Sequence, residues 1–235
     1  AMGGAALIIC EATAVSPDGR ITPGCTGLWN EKQMEAVAPI NAFIKSLGAV
    51  PAIQIGHAGR KGSAHVPWDG GAHIPDNDPV GWPTISPTSQ AFDADGTRLW
   101  KEPHEMSIAD IEAMKESFVA TAKRALESGY KILELHAAHG YLQHSFLTPL
   151  VNTRSDAYGG DLRCRARFLL ETAAAVRDIW PENLPLATRI SINDWIEGGH
   201  GIEENIQIAK WLKEVGVDMI DCSGGGATPQ ARASI

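Results

Sequence analysis

Two histidines three residues apart and a tyrosine two further on form the densest group of reactive side chains: His136-Ala137-Ala138-His139-Gly140-Tyr141. Imidazole N–H groups that converge on one ligand oxygen can bind it and stabilise negative charge as it develops there. Gln54 stands between Ile53 and Ile55, and Arg189 stands inside the apolar run 186–192. A guanidinium in such a run needs an anionic or electron-rich partner, and a salt bridge to Glu11 is one way to supply it. An amide that donates and accepts, together with a cation, also suits the polar edge of a flat heteroaromatic ring. A metal site is the competing chemistry, because His57 or Asp194 could join His136 and His139.

These residues need a scaffold that carries them to one rim. Short apolar runs at 5–9, 50–55, 132–135, 186–192 and 219–222 read as strands, the first of them buried on both faces. Amphipathic segments at 31–47, 108–128, 165–179 and 205–215 read as helices. Ser107 followed by Asp110 predicts a capping box at the second helix, and Gly129 marks its end. Strands alternating with helices argue for a parallel sheet with helices packed outside. No strand leads into a Gly-x-Gly-x-x-Gly turn, so an α/β TIM (β/α)8 barrel is favoured over a dinucleotide fold. Five strands are visible where eight close a barrel, so residues 1–235 are expected to form a single partial barrel domain, about strands two to six. Residues 57–106 lack a helical period. They are expected to form a lid insertion after the third barrel strand, with a hairpin at Asp95-Gly96.

Composition narrows the partners. Lys plus Arg number 20 against 28 Asp plus Glu, a net charge of -8 with no basic block, which leaves no footprint for a nucleic acid. Cys10, Cys25, Cys164 and Cys222 are widely spaced without a Cys-x-x-Cys pair, as expected of reduced thiols in a cytoplasm. The apolar opening stretch 1–10 lacks a basic flank, and no apolar run approaches the roughly 20 residues of a membrane span.

Several motifs occur in one order: Glu11-Ala12-Thr13-Ala14-Val15, Gln54-Ile55-Gly56-His57-Ala58-Gly59-Arg60-Lys61, the string from His136 to Tyr141, the stretch 163–170, Asp194-Trp195 and Asp221-Cys222-Ser223. Together they resemble the Old Yellow Enzyme family of FMN-dependent ene-reductases, in the bacterial branch of xenobiotic reductases and NADPH dehydrogenases. The resemblance implies FMN as cofactor and NADPH, or NADH, as reductant. It implies that Ala12 lies against the flavin, that Gln54 bonds its pyrimidine edge and that Arg189 sits near its N1 and O2. His136 and His139 would bind the substrate oxygen and Tyr141 would be the proton donor. The substrate implied is a small electrophilic alkene, an α,β-unsaturated carbonyl or nitro compound. The family commonly forms dimers or tetramers, so a homo-oligomer of the full-length protein is compatible with the resemblance.

Two other readings stand beside this one: a metal-dependent hydrolase on the same barrel using His57, His136, His139 and Asp194, and a non-catalytic barrel remnant. The family's first strand and its phosphate-binding last strands are expected outside these 235 residues. Cys25 is expected to be an ordinary loop thiol. An unclosed barrel leaves sheet edges unpaired. These 235 residues expressed alone are therefore expected to retain little FMN, and stoichiometric flavin after gel filtration would contradict that.

Overall fold

Residues 1–92 and 100–230 are described by the computed structural model. Along the chain run β1 (Leu7–Ala14), α1 (Glu31–Ser46), β2 (Val50–Gly56), the two-residue strands β3 (Ile85–Ser86) and β4 (His104–Glu105), and α2 (Ile108–Glu127). There follow β5 (Ile132–Ala137), α3 (Leu142–Leu147), α4 (Leu162–Ile179), β6 (Leu186–Ser191), α5 (Ile202–Glu214) and β7 (Met219–Ser223). The main sheet has the order β1-β2-β5-β6-β7, and every neighbouring pair is parallel. This is the sequential order of a (β/α)8 barrel, of which five strands are present among the described residues.

Local chemistry sets the helix ends. Ser107 Oγ accepts from the Asp110 N–H at 3.2 Å while Asp110 Oδ2 accepts from the Ser107 N–H at 2.8 Å, the capping box expected from sequence. Asp161 caps α4 by accepting from the Cys164 N–H at 2.8 Å, so this helix starts three residues before the predicted position. α5 likewise starts at Ile202. α3 was not expected; its six residues are all buried and show no amphipathic period.

Side chains alternate across the strands, so each strand serves two environments. One face carries Ile53, Ile55, Leu133, Leu135, Leu186 and Ile190, which pack on Phe118, Phe168, Val176 and Leu212 of the helices to form the core. The register places Gln54 beside Glu134, His136 beside Arg189, and Arg189 beside Asp221 on the other face. Towards the C-terminal ends of the strands that inner face is polar, whereas its N-terminal end carries Leu7, Ile9, Val50 and Ile132 in the apolar manner of an ordinary barrel interior.

One expectation needs correction. β1 is longer than predicted and is not buried on both faces: Leu7 and Ile9 are 40% and 46% exposed, because their register with Val50 and Ala52 turns them to the face of the sheet opposite the helices. In the segment 57–106, β3 and β4 pair in parallel, Ile85 with His104 and Ser86 with Glu105. The turn expected at Asp95-Gly96 lies outside the described residues. Among the described residues no helix is long and apolar enough to cross a membrane.

Phe168 is fully buried between Phe118 and Phe146, with ring centroids 6.5 and 4.9 Å away. Phe168→Ala should destabilise the full-length protein by about 3–5 kcal/mol, read from urea denaturation. A loss below about 1 kcal/mol would mean that α2 and α4 do not pack through this ring.

Candidate functional site

The C-terminal end of β5 and the turn after it build the centre of the site. His136 is the last inward-facing residue of β5, and β5 then bends through His139 and Gly140, whose φ angles are +62° and +73°. A Cβ on Gly140 would stand 1.9 Å from the Gly226 carbonyl oxygen, so only glycine fits. Side chains from three parts of the chain hold this turn by its backbone. The His139 N–H donates to Ser191 Oγ at 2.9 Å and the His139 carbonyl accepts from Lys61 Nζ at 2.8 Å. The Gly140 N–H donates to His144 Nδ1 at 2.8 Å, and its carbonyl accepts from Ser145 Oγ at 3.0 Å.

The turn brings three rings together. His136 and His139 have centroids 5.1 Å apart at 87°, His136 and Tyr141 5.0 Å apart at 89°, and His139 and Tyr141 6.4 Å apart at 78°. His136 Nδ1 accepts from the Ala138 N–H at 3.2 Å, which leaves Nε2 as the protonated, donating nitrogen of the neutral ring. His139 Nε2 is 2.5 Å from Ser223 Oγ at the end of β7. His136, Tyr141, Ala12, Gly56, His57 and Cys25 line one pocket, so Cys25 is a pocket thiol as well as a loop residue; Thr22 donates to it at 3.3 Å.

Burial sets the charge states. It pushes His136 down to about 3, helped by His139 and Arg189 nearby, and His139 down to about 4, helped by Arg189 and Lys61. Burial raises the Tyr141 phenol to about 12, with Cys25 adding to the effect. At neutral pH the cluster therefore consists of two neutral imidazoles and a protonated phenol, all able to donate. Lys61 is itself lowered to about 8 by burial and by the adjacent Arg60, and its Nζ lies 5.1 Å from the centroid of the Tyr141 ring.

On the same face the guanidinium of Arg189 lies level with His136, and the amide of Gln54 lies one inward position below, level with Glu134. Gln54 Nε2 donates to Glu134 Oε1 at 2.6 Å, leaving the amide carbonyl as the acceptor that Gln54 offers. Burial raises the Glu134 carboxyl, against the hydrogen bond from Gln54. Arg189 does not meet Glu11: its Nε is 3.4 Å from Asp221 Oδ2, while Glu11 accepts from Thr26 Oγ1 at 2.9 Å. The register explains the difference, because Asp221 stands directly beside Arg189 whereas β1 is three strands away.

The residues of the metal alternative are not brought together. Asp194 is fully buried against His144, 3.1 Å away, and Thr148 Oγ1, 2.6 Å away. His57 Nδ1 accepts from the Gly59 N–H at 2.9 Å and its Nε2 faces Asp18 at 3.4 Å. No cluster of three or more candidate metal ligands occurs among the described residues. Sequence reading missed Lys61, His144, Ser145, Ser191, Glu134 and Asp221 as parts of the site. Ser191, Glu134 and Asp221 carry a signal in hindsight, since each is a polar residue at an inward strand position.

Both histidines regain an ordinary value near 6.5 when the chain unfolds. The unfolded chain then binds more protons from pH 6.5 down to about 4 for His139 and about 3 for His136, so this contribution to stability is complete above 6.5 and is lost as pH falls through that interval. The double variant His136→Asn/His139→Asn should lose less stability between pH 7 and pH 5 than the parent, measured by urea midpoints. Equal pH dependence would show that the rings are not held neutral.

The chain is 42% identical over 225 residues to an NADPH dehydrogenase of Bacillus velezensis, covering 96% of this chain and 60% of that protein. It spans about 60% of the length of the curated relatives it matches. Among solved structures it resembles a 2-naphthoyl-CoA reductase in complex with 2-naphthoyl-CoA, with a TM-score of 0.82 at 29% identity over 97% of this chain and 34% of that one. It also resembles the Old Yellow Enzyme from Pichia sp. AKU4542, with a TM-score of 0.71 at 26% identity over 88% and 53% of the two chains. The pattern of one family matches residues 1–231 of the 235, and the chain belongs to it: the NADH:flavin oxidoreductase / NADH oxidase family.

Proposed function

We propose that the full-length protein is an FMN-dependent oxidoreductase that takes reducing equivalents from NADPH or NADH and reduces activated carbon–carbon double bonds, those conjugated to a carbonyl or nitro group. The observation that carries this reading is the cluster of three donor rings on the face and rim shared with Gln54 and Arg189. The inner face fits the polar edge of a flavin. Arg189 Nε meets Asp221 only as a charge contact at 3.4 Å, with no hydrogen bond made, and Gln54 has an acceptor to offer. Ala12, which lines the same pocket as His136, is small enough to leave a flat ring room.

FMN, when bound, supplies the hydride chemistry. His136 and His139 hold the substrate oxygen by N–H donation and stabilise the negative charge that collects there during reduction. Neutral imidazoles suit this task because their donation gains most when the charge develops. Tyr141, with its proton firmly held, delivers that proton to the α carbon. Arg189 would hold positive charge beside the polar edge of the bound flavin and favour its reduced, anionic form.

The segment 57–106 supports a covering role. Arg60 Nη1 donates to the Gln90 and Ala91 carbonyls at 3.0 Å, and Lys61 Nζ lies 4.7 Å from the centroid of the Phe92 ring while holding the His139 carbonyl. Residues 90–92 are thus tied through Arg60 and Lys61 to the His139 turn, and we assign this part of the segment the selection of substrate size.

Tyr141→Phe in the full-length protein should lower turnover of 2-cyclohexen-1-one by about a hundredfold while visible flavin absorbance per protein stays at the parent level. His136→Ala with His139→Ala should likewise weaken alkene turnover far more than flavin retention. Parent-level turnover in both variants, or a full-length protein without flavin, would reject the assignment.

A further inference from the structure

Gly140 sits between His139 and Tyr141, and its N–H donates to His144 Nδ1 at 2.8 Å. An N–H cannot accept, so this nitrogen carries no proton and the proton of the neutral ring resides on Nε2. Nε2 lies 3.1 Å from Asp194 Oδ1, a close charge contact outside hydrogen-bond alignment, and both side chains are completely buried, so these two atoms have only each other to meet. The other carboxylate oxygen, Oδ2, accepts from Thr148 Oγ1 at 2.6 Å and from the His200 N–H at 2.8 Å. Burial pushes the Asp194 carboxyl up, but the adjacent His144 ring and the hydrogen bonds from Thr148 and His200 outweigh it and the carboxyl stays ionised. A carboxylate only accepts, so it admits only the ring form with the proton on Nε2. The opposite form would set Nδ1–H against the Gly140 N–H, two donors face to face, at a turn already carrying two positive φ angles.

We propose that His144 and Asp194 are positioning residues acting by tautomer selection: Asp194 holds the proton on His144 Nε2, which leaves Nδ1 bare to hold Gly140 and so orients His139 and Tyr141. Neither residue touches the reacting atoms. Their influence passes through one backbone N–H, and only the activity readout rests on the oxidoreductase reading above. Tautomer selection differs from simple core packing because it depends on which atoms accept, not on volume. An asparagine at 144 can place Oδ1 near the position of Nδ1 and accept from Gly140 without Asp194, whereas a leucine of similar size cannot.

The test uses the full-length flavin-bound protein labelled with 15N-histidine. In the parent, the His144 signals, identified by their loss in His144→Asn, should show a bare Nδ1 and a protonated Nε2. Asp194→Asn should shift them towards a mixture of tautomers and lower kcat for 2-cyclohexen-1-one by about tenfold or more, the effect of leaving one buried donor unpaired. His144→Leu should lose about tenfold or more and His144→Asn no more than about threefold. A single unchanged tautomer in Asp194→Asn, or equal losses for Asn and Leu at 144, would overturn the proposal. If Asp194→Asn does not fold, the comparison at position 144 decides. A parent protein without alkene turnover would sink the functional reading alone and leave the nitrogen shifts to judge the pair.

Discussion

The site depends on one strained corner of backbone. His139 adopts a left-handed conformation that costs a non-glycine residue on the order of 1 kcal/mol, and Gly140 continues it. Such a corner persists only where its surroundings over-determine it. Here the N–H and carbonyl of both residues are bonded to side chains, from Lys61 after β2, Ser191 at the end of β6, and His144 and Ser145 in α3. The corner also packs against Gly226 beyond β7, where any Cβ would meet the His139 backbone at 2.6–2.7 Å. Three barrel strands and a helix thus agree on the placement of one imidazole and one phenol.

That placement determines the electrostatics as well. The same anchors that fix His139 bury its ring, the main reason it is discouraged from taking a proton, and bring Lys61 to its carbonyl, so that Lys61 and Arg189 add to the effect. Burial does the larger part for His136. The result is a donor-rich rim held neutral on its rings, with the formal positive charges kept on Lys61 and Arg189 beside it. Such a rim interacts modestly with a neutral oxygen and strongly with an anionic one.

What could be read from the sequence, and what could not, follows from the range of the interactions involved. The strands β2, β5, β6 and β7 announce themselves as apolar runs, and α2 announces its start through Ser107 and Asp110, because burial and capping are local. The chemical types at the strand ends were equally visible. Partner choice was not. Whether Arg189 meets Glu11 or Asp221 is a question of strand register, and β7 contributes the answer from thirty-odd positions away. Lys61 looked like part of a motif, yet its role comes from a contact with a carbonyl 78 positions later. α3 escaped notice because a helix buried on all sides leaves no amphipathic period, and β1 misled because its Leu7 and Ile9 look like core residues while facing the open side of the sheet.

The inner face argues most directly for a ligand. A packed barrel interior of branched apolar side chains would stabilise the sheet. This one instead carries Gln54 bonded to Glu134 and Arg189 paired with Asp221, two carboxylates within one stripe, with burial pushing the Glu134 carboxyl up. Burying Gln54 and Glu134, while Arg189 and Asp221 stay about a third exposed, costs free energy that their mutual contact does not fully return. A fold that keeps a local rule on its outer face, where Leu133, Leu135 and Ile55 pack on the helices, and breaks it on the inner face two residues below His136 does so where something polar must be held. The cost is tolerable because it is confined to the face on which the three donor rings also converge, so the least stable surface of the sheet and its reactive one coincide.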